Sequence, residues 1–434
     1  MFVSNNFNMA GQSLAAFRKK LVPVLISVVI VSAVGLPLLL ANIENNSGEA
    51  MADVFVGVTF GSNSVRDAKV LIDKVKGYTN LFVVDSWDVS TNETALTEIC
   101  DYAVDANLSV MVYFDFIYYN LTRSIGSIYN SSTLEEYGVS PWHIPWLNGV
   151  KERWGDKFLG VYLYDEPGGN QIDSGYWGGN NVTRLGSPIR TFENVSDYAD
   201  AAERYVSSLN RSRSMQLLTN ASYPDGVQSG MPVFTSDYAL YWFDYEAGYD
   251  AIFAELSVTR GESSNLQQIA LCRGAAKAYD KRWGAIVVMA SDKPPYLESG
   301  ADMLQNMITA YDAGADYVLV FNFPPVNDYG ALKDEHFAAL EEFWNHINTY
   351  SRKEVKAEDH VAFVLPKDYG WGMRNPNDKI WGFWPADELS LVIWDRMTQL
   401  INAHSLRLDI VYDDSKLSLQ QTYSAVYYWN GTIS

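Results

Sequence analysis

Two adjacent carboxylates, Asp165 and Glu166, end a run of apolar and aromatic residues and are followed at once by Pro167 and two glycines. The run, residues 158–164, is typical of a strand that is covered on both faces, as in a parallel sheet. In a parallel barrel the catalytic groups lie where such strands end. A carboxyl group there can give and take protons, so Glu166 is the first candidate for general acid/base catalysis.

Other predicted strands also end in acidic or amide side chains. Cleavage of a glycosidic bond needs two carboxyl groups, one to protonate the leaving oxygen and one to act as nucleophile or to activate water. Crowded carboxylates raise one another's pKa, so a glutamic acid can stay protonated near neutral pH. The catalytic set predicted from these positions is Glu166, Glu298, Glu255 and Asp165. Between the two partners for Glu166 we place Glu298 narrowly ahead of Glu255, because it lies in a loop near strand seven.

A second set of side chains is predicted to bind the substrate. Aromatic faces in loops suit the apolar faces of sugar rings, and polar groups at strand ends suit hydroxyl groups. The predicted binding residues are Asp85, Asp115, Trp177, Asp237, Tyr296 and Asn322. Helix capping is the alternative role for Asp85, Asp115 and Asp237, and Glu298 could merely complement the positive end of the helix that follows it.

Metal and cofactor chemistry find no support in the motifs. The five histidines show no ligand spacing, and none ends a predicted barrel strand, which argues against a metal-dependent hydrolase. Neither a Gly-x-Gly-x-x-Gly fingerprint nor a phosphate-binding loop is present. The sequence therefore predicts neither a metal site nor a cofactor.

Strands and helices alternate over residues 52–350. Eight strand patterns separated by helix patterns predict an α/β fold, a (β/α)8 TIM barrel. The predicted strands are residues 54–60, 81–84, 110–114, 158–164, 215–219, 250–254, 285–290 and 317–321. Residues 233–235 could form a strand instead, which would renumber strands five and six.

A charged linker, residues 351–359, leads to a second predicted unit, residues 359–434. Its three strand patterns and one helix, residues 389–403, predict a small α/β domain that leans on the barrel. In layout this piece resembles about half of the amidotransferase-like domain that follows the barrel in some β-galactosidases. The run 368–374 follows a strand, and it either binds a ligand or seals the interface with the barrel.

The amino-terminal region predicts a membrane anchor. Residues 21–41 carry no charge, and 21 helical residues span roughly 30 Å of hydrocarbon. The basic residues 18–20 precede this run, so residues 1–20 are predicted to be cytoplasmic and the chain after residue 42 to lie outside, as a single-pass protein of the cell membrane. A cleaved signal peptide is the alternative.

The net charge and the sequons of the chain indicate which class of ligand and which location to expect. A net charge of -20 disfavours nucleic acid and suits a neutral ligand such as a glycan. An excess of Asn-x-Ser/Thr sequons over chance indicates an exported glycoprotein. The sequons begin at Asn45, Asn92, Asn107, Asn120, Asn130, Asn181, Asn194, Asn210, Asn220 and Asn430. Both cysteines, Cys100 and Cys272, fall on apolar helix faces and are predicted to be buried free thiols.

At Asp165-Glu166-Pro167 the chain resembles the clan of retaining glycoside hydrolases whose acid/base Glu ends strand four in an Asn-Glu-Pro motif. Two departures bear on the mechanism: Asp165 replaces the Asn, and no Glu ends strand seven directly. An Asp-Glu pair here is also similar to that of β-N-acetylhexosaminidases, in which the Asp steadies the substrate's acetamide and the Glu is the acid/base. The resemblance implies a glycoside hydrolase, and the alternative is a non-catalytic glycan-binding or surface-structural barrel.

Overall fold

The computed structural model describes residues 54–114, 142–175, 195–217, 227, 230–291, 293–328, 330–352, 359–415 and 417–434. Ala52–Ser434 form one compact unit, and the other unit, Met1–Met51, lies outside the described residues. The predicted anchor, residues 21–41, therefore stays a prediction. Within the described ranges, no helix combines the length and the apolar character that a bilayer crossing requires.

Eight parallel strands form a closed barrel in chain order, and the pairing of the eighth strand with the first closes it. The strands are Phe55–Phe60 (β1), Leu81–Val84 (β2), Ser109–Tyr113 (β3), Phe158–Tyr162 (β4), Val233–Asp237 (β5), Ala251–Leu256 (β6), Arg282–Val287 (β7) and Tyr317–Val320 (β8). This topology confirms the predicted eight-stranded α/β barrel.

Helices surround the barrel and carry their apolar residues at helical spacing. In the first of them, Ala68, Leu71, Ile72 and Val75 are buried, and the Ser64 side chain caps the N-terminus by accepting from the Asp67 N–H. The helices described up to β9 are Val65–Val75 (α1), Trp87–Ser90 (α2), Glu93–Asp105 (α3), His143–Trp154 (α4), Pro167–Ser174 (α5), Tyr198–Gln216 (α6), Tyr241–Glu246 (α7), Glu262–Tyr279 (α8), Gly300–Asp312 (α9) and Asp334–Thr349 (α10).

Successive side chains of a strand point to opposite faces, so the core has two parts. One set of strand residues, including Leu81, Met111, Phe253 and Leu319, points into the barrel and fills it. The alternate set, including Val56, Phe82 and Val112, packs outward in one cluster with the helices. These side chains thus fill the barrel interior, and a cavity lies above them, where the strands end.

The prediction of strand five was wrong. Met215 and Gln216 form the end of α6, and the fifth strand is Val233–Asp237. The true strand has a weak apolar pattern because Thr235, Ser236 and Asp237 are polar although buried. Hydrogen bonds replace apolar contact there, since the Thr235 hydroxyl donates to the Tyr164 carbonyl. One strand replaces another, so the numbers of the later strands are unchanged.

Three further strands form a parallel sheet in the order β10-β9-β11. The remaining elements are Val361–Leu365 (β9), Glu388–His404 (α11), Leu408–Tyr412 (β10), Leu419–Thr422 (α12) and Ala425–Tyr428 (β11). The sheet packs on α8 of the barrel, where a Cβ at Gly274 would lie 2.4 Å from the Ile410 carbonyl oxygen. The absence of a side chain at Gly274 therefore permits the close approach.

The predicted free thiols are confirmed, since Cys100 and Cys272 are both buried and unbridged.

A buried ion pair joins the sheet to the barrel. Asp409 on β10 is fully buried and accepts from Arg273 Nε at 2.7 Å and from Lys277 Nζ at 2.6 Å. Burial alone would raise the pKa of Asp409, but Arg273, His360 and Lys277 hold it well below its ordinary value. Arg273 also donates to the carbonyls of Ala313 and Leu408. The buried Arg273 guanidinium thus makes three hydrogen bonds, and such additional bonds are the condition for a buried ion pair to be tolerated.

We expect Asp409→Asn to lower the free energy of unfolding by about 3–5 kcal/mol, because it leaves the Arg273 guanidinium buried without a counter-charge. Urea denaturation at neutral pH measures this difference. As a control, Glu98→Gln removes an exposed pair with Lys69 and should cost less than about 1 kcal/mol. Equal effects of the two substitutions would contradict the role given to the buried pair.

Candidate active site at the mouth of the barrel

A cavity of about 360 Å³ lies at the carboxyl ends of the barrel strands. Its lining combines polar with apolar side chains, as ligand-binding pockets commonly do. The polar lining consists of Thr59, Asp85, Tyr113, Tyr162, Asp165, Glu166, Ser236, Glu255 and Arg260, and the apolar lining of Val83, Ile286, Val288, Met289, Leu319, Phe321 and Phe323. Four of the predicted site residues, Asp85, Asp165, Glu166 and Glu255, meet here.

Glu166 occupies a strained backbone position. Its φ of 52° and ψ of 51° are left-handed, and it is the residue from which α5 begins, with Pro167 in the first turn. This conformation costs a non-glycine residue on the order of 1–3 kcal/mol, and such strain persists where the surroundings fix it, often at functional sites. The Glu166 N–H donates to the Ser236 carbonyl at 3.1 Å, and Asn170 Nδ2 donates to the Glu166 carbonyl at 2.8 Å.

The carboxyl groups of Glu166 and Glu255 are hydrogen-bonded to each other. Burial, together with the negative charges of Glu255 and Asp165, raises the pKa of Glu166 to about 9. Burial also raises the pKa of Glu255 to about 7, while Arg260 and the hydrogen bond from Glu166 oppose that rise. Glu166 is therefore the acid and the donor, and Glu255 is the carboxylate and the acceptor.

Arg260 makes the electrostatic surroundings of Glu255 different from those of Glu166. Its Nη2 donates to Glu255 Oε2 at 3.0 Å, and its guanidinium lies 5.3 Å from the centroid of the Tyr238 ring. It is the one cation among the described residues that line the cavity. Because it contacts Glu255 directly, it favours the charged form of that residue over the charged form of Glu166.

Asp165 faces the cavity and is held by a tyrosine and a serine. Tyr162 Oη donates to Asp165 Oδ1 at 2.7 Å and accepts from the Ser236 N–H at 2.9 Å. Ser236 Oγ lies 3.3 Å from both Asp165 Oδ1 and Glu255 Oε1. Although the side chain of Asp165 is open to the cavity, protein surrounds that space, and this desolvation raises its pKa. Burial and the charge of Asp165 likewise raise the pKa of Asp85 to about 7.

Asp237 does not line the cavity, which corrects its predicted role in binding. It is fully buried, and its carboxylate accepts from the N–H groups of Gly168 at 2.5 Å, Gly169 at 2.9 Å and Ala239 at 3.0 Å. The first two of these donors belong to the first turn of α5. Asp237 thus fixes the start of the helix that carries Glu166, and a substrate in the cavity would not touch it.

Glu298, Tyr296 and Asn322 also lie outside the cavity lining. Glu298 is buried, and it accepts from the Val258 N–H at 2.7 Å and from Asn306 Nδ2 at 2.6 Å. Tyr296 is half-buried against the core, and its carbonyl accepts from the N–H groups of residues 290 and 291. The Asn322 side chain is fully buried and accepts from the N–H groups of residues 331 and 332. Of the two partners predicted for Glu166, Glu255 lines the cavity and Glu298 does not.

Asp115 and Trp177 lie outside the described residues, so their predicted roles stay predictions. Among the described residues, no cluster of three or more His, Cys, Asp or Glu side chains is arranged to hold a metal ion. The cavity lining also includes Tyr162, Ser236 and Arg260, which were not predicted from the sequence. Tyr162 is the last residue of β4 and Ser236 the last but one of β5, so the positions of the strand ends could have indicated them.

We expect Glu255→Gln to lower the pKa of Glu166 from about 9 toward its ordinary value, because it removes the nearest negative charge. The infrared absorption of protonated carboxyl groups, followed as the pH rises, measures this change. Glu298→Gln is the matched control, since it also neutralises a buried glutamate but lies outside the cavity. An unchanged titration in Glu255→Gln would show that the two carboxyl groups are not coupled.

No protein-family model matches the chain, and no curated protein matches its sequence. Its structure is similar to that of GH5_18, a glycoside hydrolase from Streptomyces cattleya in complex with GlcNAc, with a TM-score of 0.50, 14% identity, and coverage of 88% of this chain and 100% of that chain. A variant of that protein in complex with Manb1-4GlcNAc gives a TM-score of 0.50 and 13% identity, with 87% of this chain and 99% of that chain covered. At these identities the likeness shows that the chain has the α/β-barrel fold of those proteins.

Proposed function

We propose that this chain is a glycoside hydrolase in which Glu166 is the general acid and Glu255 is the second carboxylate. The observation that carries the proposal is the hydrogen-bonded pair of these residues at the mouth of a closed barrel. Two carboxyl groups whose surroundings push their pKa values apart supply both an acid and a base at one pH. Glycosidic bond cleavage needs that combination.

The proposed reaction proceeds in two steps. Glu166 gives its proton to the glycosidic oxygen while Glu255 attacks the anomeric carbon, so the C–O bond to the leaving group breaks as a bond to Glu255 forms. Water then attacks the same carbon, Glu166 takes the proton of that water, and the bond to Glu255 breaks. Glu166 is suited to both steps because its high pKa keeps it protonated at first and makes it a good base afterwards.

The direct contact between the two carboxyl groups favours retention of configuration over inversion. Inverting enzymes keep their carboxyl groups about 6.5–9.5 Å apart, with a water molecule between them, and retaining enzymes about 5–5.5 Å apart. Here the groups are in hydrogen-bond contact, which leaves no room for a water molecule between them. A glycosidic oxygen that replaces this hydrogen bond would separate them toward the retaining distance.

The substrate that we propose is a neutral glycan. Four carboxyl groups line the cavity, and its one described cation is paired with Glu255, so an anionic sugar would be repelled. Phe321 and Phe323 supply an apolar wall for a sugar face. Glycosides of mannose and of N-acetylglucosamine are the first to test, because GH5_18 proteins of similar fold hold GlcNAc and Manb1-4GlcNAc.

We also propose that the enzyme acts outside the cell membrane, anchored through residues 21–41. The uncharged run, the basic residues before it and the ten sequons support this location. Of the sequon asparagines, Asn92, Asn107, Asn210 and Asn430 lie within the described ranges, and all four are exposed. A surface or environmental glycan would then be the substrate.

Replacing either glutamate by Gln should lower kcat by about 10³-fold or more while ligand affinity remains, since each change removes a group that the chemistry needs. Azide with an activated aryl glycoside distinguishes the two roles. It should restore turnover in Glu166→Ala with retained configuration, and in Glu255→Ala with inverted configuration. Glu298→Gln serves as the control and should keep near-normal turnover. Unchanged turnover in both active-site variants would exclude this pair, and an unaltered chain that binds glycan without cleaving it would be a glycan-binding barrel. Loss only in Asp165→Asn on an N-acetylated substrate would favour substrate assistance.

The dependence of kcat/KM on pH should be bell-shaped, with limbs near the values of about 7 for Glu255 and about 9 for Glu166. Activity falls below the lower limb because Glu255 gains a proton, and above the upper limb because Glu166 loses one. Arg260→Gln removes the cation that lowers the pKa of Glu255, so the acidic limb should move to higher pH. Each pH unit of that movement lowers the rate on the acidic limb about tenfold. A limb that stays in place would exclude Glu255 as the ionised partner.

A further inference from the structure

Helix α5, which begins at Glu166, is covered by a segment far away in the sequence. Gln171 on α5 is fully buried, and its Nε2 donates at 2.6 Å to the carbonyl of Trp381. Trp381 is itself fully buried and belongs to the segment 366–384, which follows β9 and which we call the β9 loop. The β9 loop, which lies beyond the barrel in the sequence, thus packs on α5.

Ion pairs extend the same contact. Arg374 of the β9 loop places Nη1 2.5 Å from Asp173 Oδ1, and Lys379 Nζ donates to the Asp173 carbonyl at 3.0 Å. Arg374 is fixed in turn by two bonds to the Asp378 carboxylate, each 2.8 Å long. Gln171, Arg374 and Lys379 therefore join the β9 loop to the second half of α5.

The backbones also approach closely. A Cβ at Gly382 would lie 2.0 Å from the Gln171 carbonyl oxygen, and the φ of Gly382 is 74°. Any side chain at this position would push the loop away from α5, and its backbone conformation favours glycine as well. The contact between loop and helix is therefore built into the local geometry of both.

We propose that the β9 loop is a positioning element of the active site, with Gln171 as its positioning residue on α5. A helix of eight residues that contains two glycines has little stability of its own. Asp237 holds its first turn on the barrel side, and the β9 loop holds its outer side. Without the loop, α5 would loosen, Glu166 would leave its left-handed conformation, and its hydrogen bond to Glu255 would be lost. This inference rests on the proposed function, in which Glu166 is the acid.

The chain provides a matched control in Gln267. This residue, on α8, is also buried, and its Nε2 donates at 2.7 Å to the carbonyl of Met373 in the same β9 loop. No residue of α8 is among the described residues that line the cavity. Gln171→Met and Gln267→Met thus each remove one buried hydrogen bond to the β9 loop, but only the first acts on the helix of Glu166.

The experiment compares the two variants in the full chain. Gln171→Met should lower kcat about ten- to a hundredfold, with KM changed little, because misplacement of the acid affects the transition state most. Its basic pH limb should also move to lower pH as Glu166 becomes solvated. Gln267→Met should lose similar thermal stability but keep the kcat and the pH limb of the unaltered chain. A merely structural role would affect both variants alike and would leave the limb in place.

A titration without substrate tests the role of the β9 loop independently of whether the chain cleaves glycosides. Infrared titration should show a lower pKa for Glu166 in Gln171→Met and an unchanged one in Gln267→Met. If the unaltered chain cleaves no glycoside, the proposed function fails, and this titration still decides the role of the loop. If Gln171→Met does not fold, Arg374→Gln must lower the pKa of Glu166 in the same direction. An unchanged titration in the folded variant, or equal changes in Gln171→Met and Gln267→Met, overturns the proposal.

Discussion

Four carboxyl groups at the mouth of a barrel cannot all be ionised. Asp85, Asp165, Glu166 and Glu255 line one cavity of about 360 Å³, and protein surrounds them on most sides. Each negative charge there loses part of its hydration and repels the others, so protonation of some members lowers the free energy of the whole group. Arg260 favours a charge on Glu255, because Glu255 is the one of these four carboxyl groups to which it is hydrogen-bonded. The four carboxyl groups and Arg260 together therefore determine that Glu166 is the acid and Glu255 the carboxylate.

The backbone around the cluster is arranged to hold one member in an unfavourable conformation. Glu166 can stay left-handed because both sides of α5 are fixed, by Asp237 within the barrel and by the β9 loop outside it. Gly168 and Gly169 permit this arrangement, since a Cβ at either position would overlap Ala239 or Tyr238. Residues that would not contact a substrate thus fix the orientation of Glu166, which would contact it.

The sequence predicts the barrel well because seven of its strands are largely apolar runs, several of which are followed directly by polar residues. It fails at β5, where Thr235, Ser236 and Asp237 are buried and satisfied by hydrogen bonds that join distant segments. The same pattern identifies the strand-end carboxylates, because they follow directly after the apolar runs. It cannot choose between Glu255 and Glu298, because the choice depends on which side chain turns toward Glu166 across the barrel. The role of Asp237 depends on Gly168 and Gly169, which only the fold brings near.

The contact between Gln171 and Trp381 joins residues 210 positions apart, and this separation has a consequence for synthesis of the chain. The last barrel strand, β8, is complete at Val320, roughly 60 residues before Trp381 is made. At about 5–20 residues per second the interval is on the order of 3–12 s. During that time a nascent barrel can close without the support that α5 receives from the β9 loop. The support that α5 receives, and with it the orientation of Glu166, would then be complete only after the β9 loop is made.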